Sequence, residues 1–382
     1  MALKVAKRGM VPPFIVMDVM RAAAEKEATG DSVLHLEVGQ PSSAAPKKVI
    51  EAAKRALDSD KIGYTLALGL DPLRERISQY YRDYYKVTID PARIIVTTGS
   101  STGFLLAFLS AFEAGDRVGV CSPGYPAYRN ILKALGINPV DIPVTAETDF
   151  HPTAEIIDSI EGGLDGLLIA SPSNPTGSML TTEELKGLCT LCSERGIRFI
   201  SDEIYHGITY DEKAHTALDF DDEVIVINSF SKYFSMTGWR LGWMVVPETL
   251  LRSIECLAQN MFISPPTLSQ FAGIAAFDCL DELDGNVARY AKSRELLLNE
   301  LPRAGFDKLA PADGAFYLYA DVGRLTNDSQ DFCRRMLAET GVATTPGIDF
   351  DPQQGHRFMR FSFAGSTENM AEAAKRLIAW KP

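Results

Sequence analysis

The chain has 382 residues, of which 46% are apolar and 23% charged, and this length allows one large core with a smaller second unit. The formal net charge of −12 argues against a nucleic-acid partner, which needs a basic face, and against an anionic membrane surface. No stretch approaches the roughly 18 apolar residues of a membrane span. We therefore expect neither nucleic acid nor membrane among its partners.

The first residues, MALKVAKRGMVPPFIVMD, contain no apolar run long enough for a secretory signal. Six cysteines are too few for a disulfide framework. Cys189 and Cys192 share one face of a helical pattern, and neither a second pair nor a nearby histidine completes a metal site. These features predict a cytoplasmic protein without a metal centre.

From about residue 93, short β-branched runs alternate with helical stretches such as YPAYRNILKALG and TTEELKGLCTLCSERG. Near-continuous apolar strands that alternate with amphipathic helices indicate a mostly parallel sheet covered on both faces. In chain order the predicted strands are RIIVTTG, RVGVCSP, NPVDIPV, LDGLLIASP, IRFISDEIY, VIVINSFS and GWMVV.

The first 40 residues and the segment after about residue 285 lack this rhythm and carry longer helical patterns with isolated strands such as GAFYLYADV. We predict an α/β fold in which residues 42–284 form a large ligand-binding domain around a mostly parallel seven-stranded sheet. Residues 1–41 and 285–382 are predicted to form a smaller α+β domain from both ends of the chain.

Polar residues follow five of the predicted strands at their carboxyl ends, where open α/β sheets bind ligands. Each cluster alone is ordinary turn chemistry, but together they predict one shared site. The clusters are residues 99–102, residues 122–125, residues 171–177, Asp202, and Ser229 with Lys232.

Part of this set suits a phosphate group. The G-S-S-T turn at residues 99–102 opens a helix, whose backbone N–H groups and dipole attract an anion. In the stretch SFSKYFSMTGWR, Ser229 and Arg240 add a hydroxyl and a guanidinium fork.

The other part suits a protonated aromatic aldehyde. Asp202 at the end of a buried strand is costly unless it is paired, and a cationic ring nitrogen would pair it. Tyr125 supplies a stacking face, and Lys232 supplies an amine that condenses with an aldehyde. Phosphate, ring nitrogen, aromatic ring and aldehyde are the parts of pyridoxal 5′-phosphate (PLP).

The motifs, from Gly39 in GQP to Arg360 in RFMRFSFAG, also occur in the order found in a known family. The chain resembles the class I/II PLP-dependent aminotransferases, the aspartate aminotransferase-like enzymes of fold type I, over nearly its whole length. SFSKYFSMTGWR resembles that family's lysine signature. The resemblance implies a homodimer in amino-acid metabolism that moves an amino group from an L-amino acid to a 2-oxo acid by a ping-pong mechanism.

The resemblance assigns roles around the cofactor. Lys232 would bind it covalently and move the substrate's proton, Asp202 would keep its ring nitrogen protonated, and Tyr205 with Asn174 would hydrogen-bond its phenolic oxygen. The other cofactor-binding residues would be Tyr125, stacked on the ring, and Ser101, Thr102, Ser229, Arg240 and, more weakly, Ser231 at the phosphate.

The resemblance also assigns roles around the substrate. Arg360, aided by Asn174 and the backbone of Gly39, would bind the α-carboxylate and so favour loss of the Cα proton over loss of CO₂. Tyr64 would reach the phosphate in the partner subunit. The apolar stretch PPFIVM at residues 12–17 and the uncharged Gln40 favour neutral or aromatic amino acids over aspartate.

Three alternatives use the same residues. A PLP-dependent lyase, such as a C–S lyase or an aminocyclopropane synthase, would need the same cofactor site. A ligand-sensing regulator would carry an added DNA-binding domain, but only about 40 residues precede Gly39. A serine acyl enzyme would use the S-x-x-K from Ser229 to Lys232, but the chain lacks the S-D-N and K-T-G motifs of that class.

Overall fold

The computed structural model describes residues 3–59 and 62–381. Its helices are α1 (Ile15–Ala28), α2 (Lys47–Asp58), α3 (Asp71–Tyr84), α4 (Ser100–Ala111), α5 (Pro126–Leu135), α6 (Ala154–Asp158), α7 (Thr182–Arg195), α8 (Glu248–Met261), α9 (Thr267–Ala276), α10 (Leu280–Glu300), α11 (Ser329–Thr340) and α12 (Thr367–Ala379). Its strands are β1 (Leu34–His35), β2 (Ile94–Thr97), β3 (Arg117–Ser122), β4 (Asn138–Pro143), β5 (Gly166–Ala170), β6 (Arg198–Asp202), β7 (Ile225–Ser229), β8 (Gly242–Val245), β9 (Tyr317–Asp321), β10 (Val342–Ala343), β11 (Thr345–Pro346) and β12 (Phe358–Ser362).

All the strands predicted between residues 93 and 246 belong to one seven-stranded sheet with the order β2-β8-β7-β6-β5-β3-β4. Strands β3 to β7 run parallel to their neighbours among themselves, whereas β8 runs antiparallel to both β2 and β7. The prediction of an α/β fold with a mostly parallel sheet is therefore confirmed. The reversed direction of β8 follows from its short connection to β7, because parallel neighbours need a long crossover.

Both faces of this sheet are buried, as its continuous apolar strands require. Phe199 and Val226 pack in the core on one face, and Ile200 and Ile227 pack in the core on the other. The alternation of neighbouring residues between two cores is the two-residue period of a strand. Trp243 on β8 is fully buried.

The two ends of the chain meet outside the large sheet. Strand β1 pairs in parallel with β10, so that Leu34 lies opposite Val342. The strands β11, β12 and β9 form an antiparallel sheet. The segments GAFYLYADV and RFMRFSF form β9 and β12 of this sheet. The pairing of β1 with β10, about 300 residues later, is visible only in the fold.

Among the residues that the structure describes, no helix is both long enough and apolar enough to cross a membrane. The six cysteines are all free thiols, and Cys189 and Cys192 are buried on α7.

The N-terminus of α7 provides a test of local stability. Thr181 Oγ1 accepts a hydrogen bond from the Glu184 backbone N–H at 3.3 Å, and the Glu184 carboxylate accepts one from the Thr181 N–H at 2.8 Å. Because this capping box satisfies two N–H groups of the first turn, Thr181→Ala should lower the free energy of unfolding by about 1 kcal/mol. The midpoint of urea denaturation measures it.

The matched control is Thr190→Ala on the same helix. Its hydroxyl bonds back to the Lys186 carbonyl at 3.0 Å, a contact that adds little to a helix. We expect no loss of stability there, and equal midpoints for the two variants would contradict the capping account.

Candidate active site

A cavity of about 220 Å³ lies at the carboxyl edge of the large sheet, between that sheet and the segments from both chain ends. It brings together predicted site residues that are up to 321 positions apart in sequence, from Gly39 to Arg360. The predicted site residues that line it are Gly39, Ser101, Tyr125, Asn174, Tyr205, Ser231, Lys232, Arg240 and Arg360.

Lys232 lies three residues beyond the end of β7, and its side chain is partly buried. Its Nζ donates a hydrogen bond to the Gly39 carbonyl at 2.7 Å. Burial, together with the nearby Arg360 and Arg240 guanidinium groups, lowers the pKa of the Lys232 amine to about 8, although Asp202 opposes them. A lowered pKa makes roughly a tenth of the amine neutral at pH 7, and only the neutral amine is a nucleophile or a base.

Asp202 at the end of β6 is fully buried beneath the cavity wall. Its Oδ2 accepts a short hydrogen bond from the Tyr128 hydroxyl, and its Oδ1 accepts one from the Ile204 N–H at 3.1 Å. Burial raises the pKa of Asp202 to about 6, although both hydrogen bonds and Lys232 hold it down. The carboxylate is thus placed to favour a cation above it.

Arg360 on β12 is 4% exposed, and its guanidinium lies 4.3 Å from the ring centre of Tyr317. Nη1 donates to Asn174 Oδ1 at 2.8 Å, and Nη2 donates to the Glu37 carbonyl and to Thr345 Oγ1 at 3.2 Å. Nε has no hydrogen-bond partner, and no carboxylate in the described part of the chain pairs with this guanidinium. A buried cation of this kind suits an incoming carboxylate.

The opposite end of the cavity suits an anion with several oxygens. Helix α4 begins at Ser100 with no side-chain cap, after Gly99 in the left-handed region at φ 75°. A Cβ at Gly99 would lie 2.5 Å from Arg240 Nη2, so only glycine lets the guanidinium approach this turn. Ser100, Ser101 and Arg240 line the cavity here, as in phosphate sites at helix N-termini.

Besides Asp202, which lies beneath the wall, three predicted residues do not line the cavity. The Thr102 hydroxyl donates to the Thr98 carbonyl at 3.1 Å, and Ser229 Oγ accepts the Ser231 N–H at 3.0 Å. Tyr64 is 84% exposed on the outer surface of its own chain. Their roles at the phosphate stay predictions.

The cavity also contains residues that the sequence did not single out. Tyr128 follows Tyr125 by three residues on α5, so helical spacing could have placed it on the same face. Tyr317 on β9 hydrogen-bonds to the Tyr205 hydroxyl at 2.8 Å. Strand alternation in GAFYLYADV defines two faces, but it does not say which one meets the cavity. Others are Met20, Asp349 and Phe350, whereas Phe14, Val16, Met17 and Ser100 belong to the stretches at residues 12–17 and 99–102 that the sequence had already indicated.

The comparisons with known proteins agree with this fold. The family model for aminotransferase class I and II matches residues 31–377. The chain therefore belongs to the class I and II aminotransferases, enzymes that use PLP. The resemblance that the motifs indicated is confirmed.

Individual relatives point the same way. A valine–pyruvate aminotransferase of Mycobacterium tuberculosis is 49% identical and covers 99% of both chains. The solved structure of a putative aminotransferase from Silicibacter pomeroyi is 50% identical, with a TM-score of 0.93 over 99% of both chains. An aspartate aminotransferase of Thermus thermophilus, 29% identical, has a TM-score of 0.92 over 99% of this chain and all of its own. The chain is an aminotransferase, and nothing in these comparisons supports the lyase alternative.

The hydrogen bond between Tyr128 and Asp202 predicts a pH effect. Tyr128→Phe removes a donor that stabilises the Asp202 carboxylate, so the pKa of Asp202 should rise above about 6. A hydrogen bond to a charged group contributes about 1.5–3 kcal/mol, which corresponds to about one pH unit or more. As the pH is lowered, Tyr128→Phe should therefore begin to lose affinity for PLP at a higher pH than the parent protein does. Absorbance titrations with PLP between pH 5 and pH 8 would measure this difference.

Tyr210→Phe is the control, because its hydroxyl bonds to the Ala315 carbonyl away from the cavity. The same pH dependence in Tyr128→Phe and the control would contradict the role of Tyr128.

Proposed function

We propose that this chain is a PLP-dependent transaminase for L-amino acids with neutral, apolar side chains and a 2-oxo acid acceptor. The proposal rests on the presence of Arg360 and Lys232 in the same cavity. A buried guanidinium without a carboxylate partner and an amine whose pKa is lowered to about 8 share one cavity. An α-amino acid presents the carboxylate and the amino group that such a pair would bind and exchange.

The donor set fits PLP, because each of the four polar parts of the cofactor has a matching group. Lys232 supplies the amine for the aldehyde, and the buried Asp202 supplies the anion for the ring nitrogen. The N-terminus of α4 with Arg240 supplies a phosphate cradle. Tyr125 would stack on the ring, Tyr205 and Asn174 would bind the phenolic oxygen, and Ser101, Thr102, Ser229 and Ser231 would assist at the phosphate.

When bound, PLP supplies an electron sink for the electron pair that remains after the substrate loses its Cα proton. The residues of the chain do the rest. Arg360 and Asn174 orient the carboxylate, so that one bond of Cα is presented to the Lys232 amine. The Lys232 amine, which is partly neutral near pH 7, would take the Cα proton and return it to the carbon that comes from the cofactor's aldehyde group. Asp202 stays anionic and holds positive charge on the ring.

The apolar wall of the cavity supports a neutral substrate. Phe14, Val16, Met17 and Met20 of the α1 region line it. The cations among its described lining residues are Lys232, Arg240 and Arg360, and each already has a role in the proposal. No further cation is then left for a second carboxylate, and the relative named valine–pyruvate aminotransferase fits this reading.

The assembly, location and domain division belong to the same proposal. Tyr64 is exposed on its own chain, which suits a side chain that completes the phosphate site of a partner in a homodimer. Free cysteines fit a reducing cytoplasm. The division into residues 42–284 and residues 1–41 with 285–382 agrees with the membership of the large sheet and of the two smaller ones.

A substrate panel tests the reaction. Valine, leucine, alanine, phenylalanine and aspartate are each supplied with pyruvate or 2-oxoglutarate, and both the new amino acid and the new 2-oxo acid are measured. We expect both products only when an acceptor is present, with the best neutral donor at least about tenfold above aspartate in kcat/KM, about 1.4 kcal/mol. Release of 2-oxo acid in amounts far above the enzyme without acceptor would indicate elimination instead.

Lys232→Ala should abolish turnover, because it removes the group that moves the proton, yet it should retain PLP through Asp202 and Arg240. Retention is measured as cofactor absorbance after gel filtration. Lys213→Ala, a surface lysine, is the control and should behave like the parent. Ordinary turnover in Lys232→Ala would end the proposal.

Arg360→Lys tests carboxylate recognition. Lysine keeps the positive charge beside Lys232 but cannot form two parallel hydrogen bonds to a carboxylate. Disrupting a buried charge pair costs about 2–5 kcal/mol, which corresponds to a loss of kcat/KM of about 30-fold to several thousand-fold. The loss should be far smaller for plain amines, which have no carboxylate.

The control is Arg357→Lys, three residues earlier, because Arg357 pairs with Asp321 at 2.8 Å outside the cavity. Amino-acid kinetics within a few-fold of the parent in Arg360→Lys would refute the assigned role.

A further inference from the structure

Asp349 is a buried carboxylate of the cavity wall with no part in the chemistry above. It is 5% exposed, and both of its oxygens accept backbone hydrogen bonds from the start of α1. Oδ1 accepts the Ile15 N–H at 3.0 Å, and Oδ2 accepts the Val16 N–H at 3.2 Å. The two partners lie more than 330 positions away in the sequence, so only the tertiary fold brings them together.

Helix α1 has no cap of its own. Its N-cap residue is Phe14, whose side chain accepts no hydrogen bond. The first N–H groups of a helix have no partner within the helix, and a carboxylate at that end also interacts favourably with the helix dipole. Asp349 therefore supplies the cap from the opposite end of the chain.

The start of α1 is also the apolar wall of the cavity. Phe14, Val16 and Met17 line it, and the Phe14 ring packs edge-on against Tyr125, with ring centres 5.7 Å apart. The position of this wall therefore depends on where the first turn of α1 is held.

Asp349 lies close in the fold to Arg360, the residue proposed to bind the substrate carboxylate. It ends the turn Gly347–Asp349, which follows β11 directly, and Thr345 on β11 lies opposite Arg360 on β12. Thr345 Oγ1 also accepts a hydrogen bond from Arg360 at 3.2 Å. The paired strands β11 and β12, with the turn that ends at Asp349, thus also set the distance between Arg360 and the start of α1.

We propose that Asp349 is a positioning residue for substrate specificity: it holds the start of α1 over the cavity, so that Phe14 and its neighbours select amino acids with bulky apolar side chains. This inference rests on the proposed function, since it names the part of the substrate that the wall contacts. Asp349 acts through α1 and not on the reacting atoms.

The test compares leucine with alanine as amino donors. In Asp349→Ala the first turn of α1 loses both acceptors, so the ratio of kcat/KM for leucine to that for alanine should fall about tenfold, mainly through a higher KM for leucine. Asp349→Asn keeps one amide oxygen as an acceptor, and its ratio should fall less. In ping-pong kinetics kcat/KM for the amino donor is independent of the acceptor, so one fixed acceptor suffices.

Asp351→Ala is the matched control. Asp351 is also buried and also accepts two backbone N–H groups, from Gln353 at 2.8 Å and Gln354 at 3.1 Å, but it lines a different cavity. Its ratio should equal that of the parent. Phe14→Ala removes the wall directly, and it should lower the ratio as well. Combining it with Asp349→Ala should lower the ratio by less than the product of the two separate effects, because both changes act on one contact.

Hydrogen exchange at the start of α1 separates the outcomes without using activity. Asp349→Asn should speed exchange in the peptide that contains Ile15 and Val16, and Asp351→Ala should not. Unchanged exchange, or faster exchange with an unchanged leucine-to-alanine ratio, would overturn the inference. A parent protein that transaminates none of the neutral amino acids of the panel would instead refute the proposed function, while the exchange result would still test the cap.

Discussion

The guanidinium of Arg360 is buried beneath aromatic rings, and no carboxylate in the described part of the chain pairs with it. A buried charge is costly unless hydrogen bonds or a counter-charge compensate it. Here the compensation comes from Asn174 after β5, from the Glu37 carbonyl after β1 and from Thr345 on β11. One charge therefore ties the large sheet to segments from both ends of the chain, and its Nε has no hydrogen-bond partner in the described part of the chain.

The same charge affects the reacting amine. Burial and the nearby guanidinium groups lower the pKa of Lys232 to about 8, while burial raises that of Asp202 to about 6. The pKa values of the two groups thus lie closer to each other and to neutral pH. Such shifts are common in active sites where one group must hold a charge and another must exchange a proton. Asp202 also stays mostly ionised at neutral pH because Tyr128 and the Ile204 N–H donate to it.

Much of the fold and of the site was predictable from local patterns. Every strand predicted before residue 246 formed, because apolar runs bounded by turn residues can satisfy their backbone only in a buried sheet. The sequence places Lys232, Asp202 and Asn174 near one edge of the sheet because parallel strands bring their carboxyl ends together, and their roles there stay predictions. The antiparallel direction of β8 was not predicted, since strand patterns carry no direction. Within the predicted cluster at residues 99–102, Ser100 lines the cavity and Thr102 does not, because helix phase at an N-terminus depends on the turn before it.

The sequence by itself determined which chemical groups are present: an amine, a carboxylate at a strand end, an uncapped helix N-terminus and a guanidinium fork, each with a local motif. Only the tertiary structure decided which distant groups meet them. Tyr317 contacts Tyr205, and Asp349 caps α1, through pairs more than 110 residues apart. A strand or helix pattern states which residues share a face, but the partner of that face depends on how the whole chain packs. For this reason the sequence could indicate the apolar stretch at residues 12–17, but only the fold shows that Phe14, Val16 and Met17 line the cavity and that Asp349 contacts the start of α1.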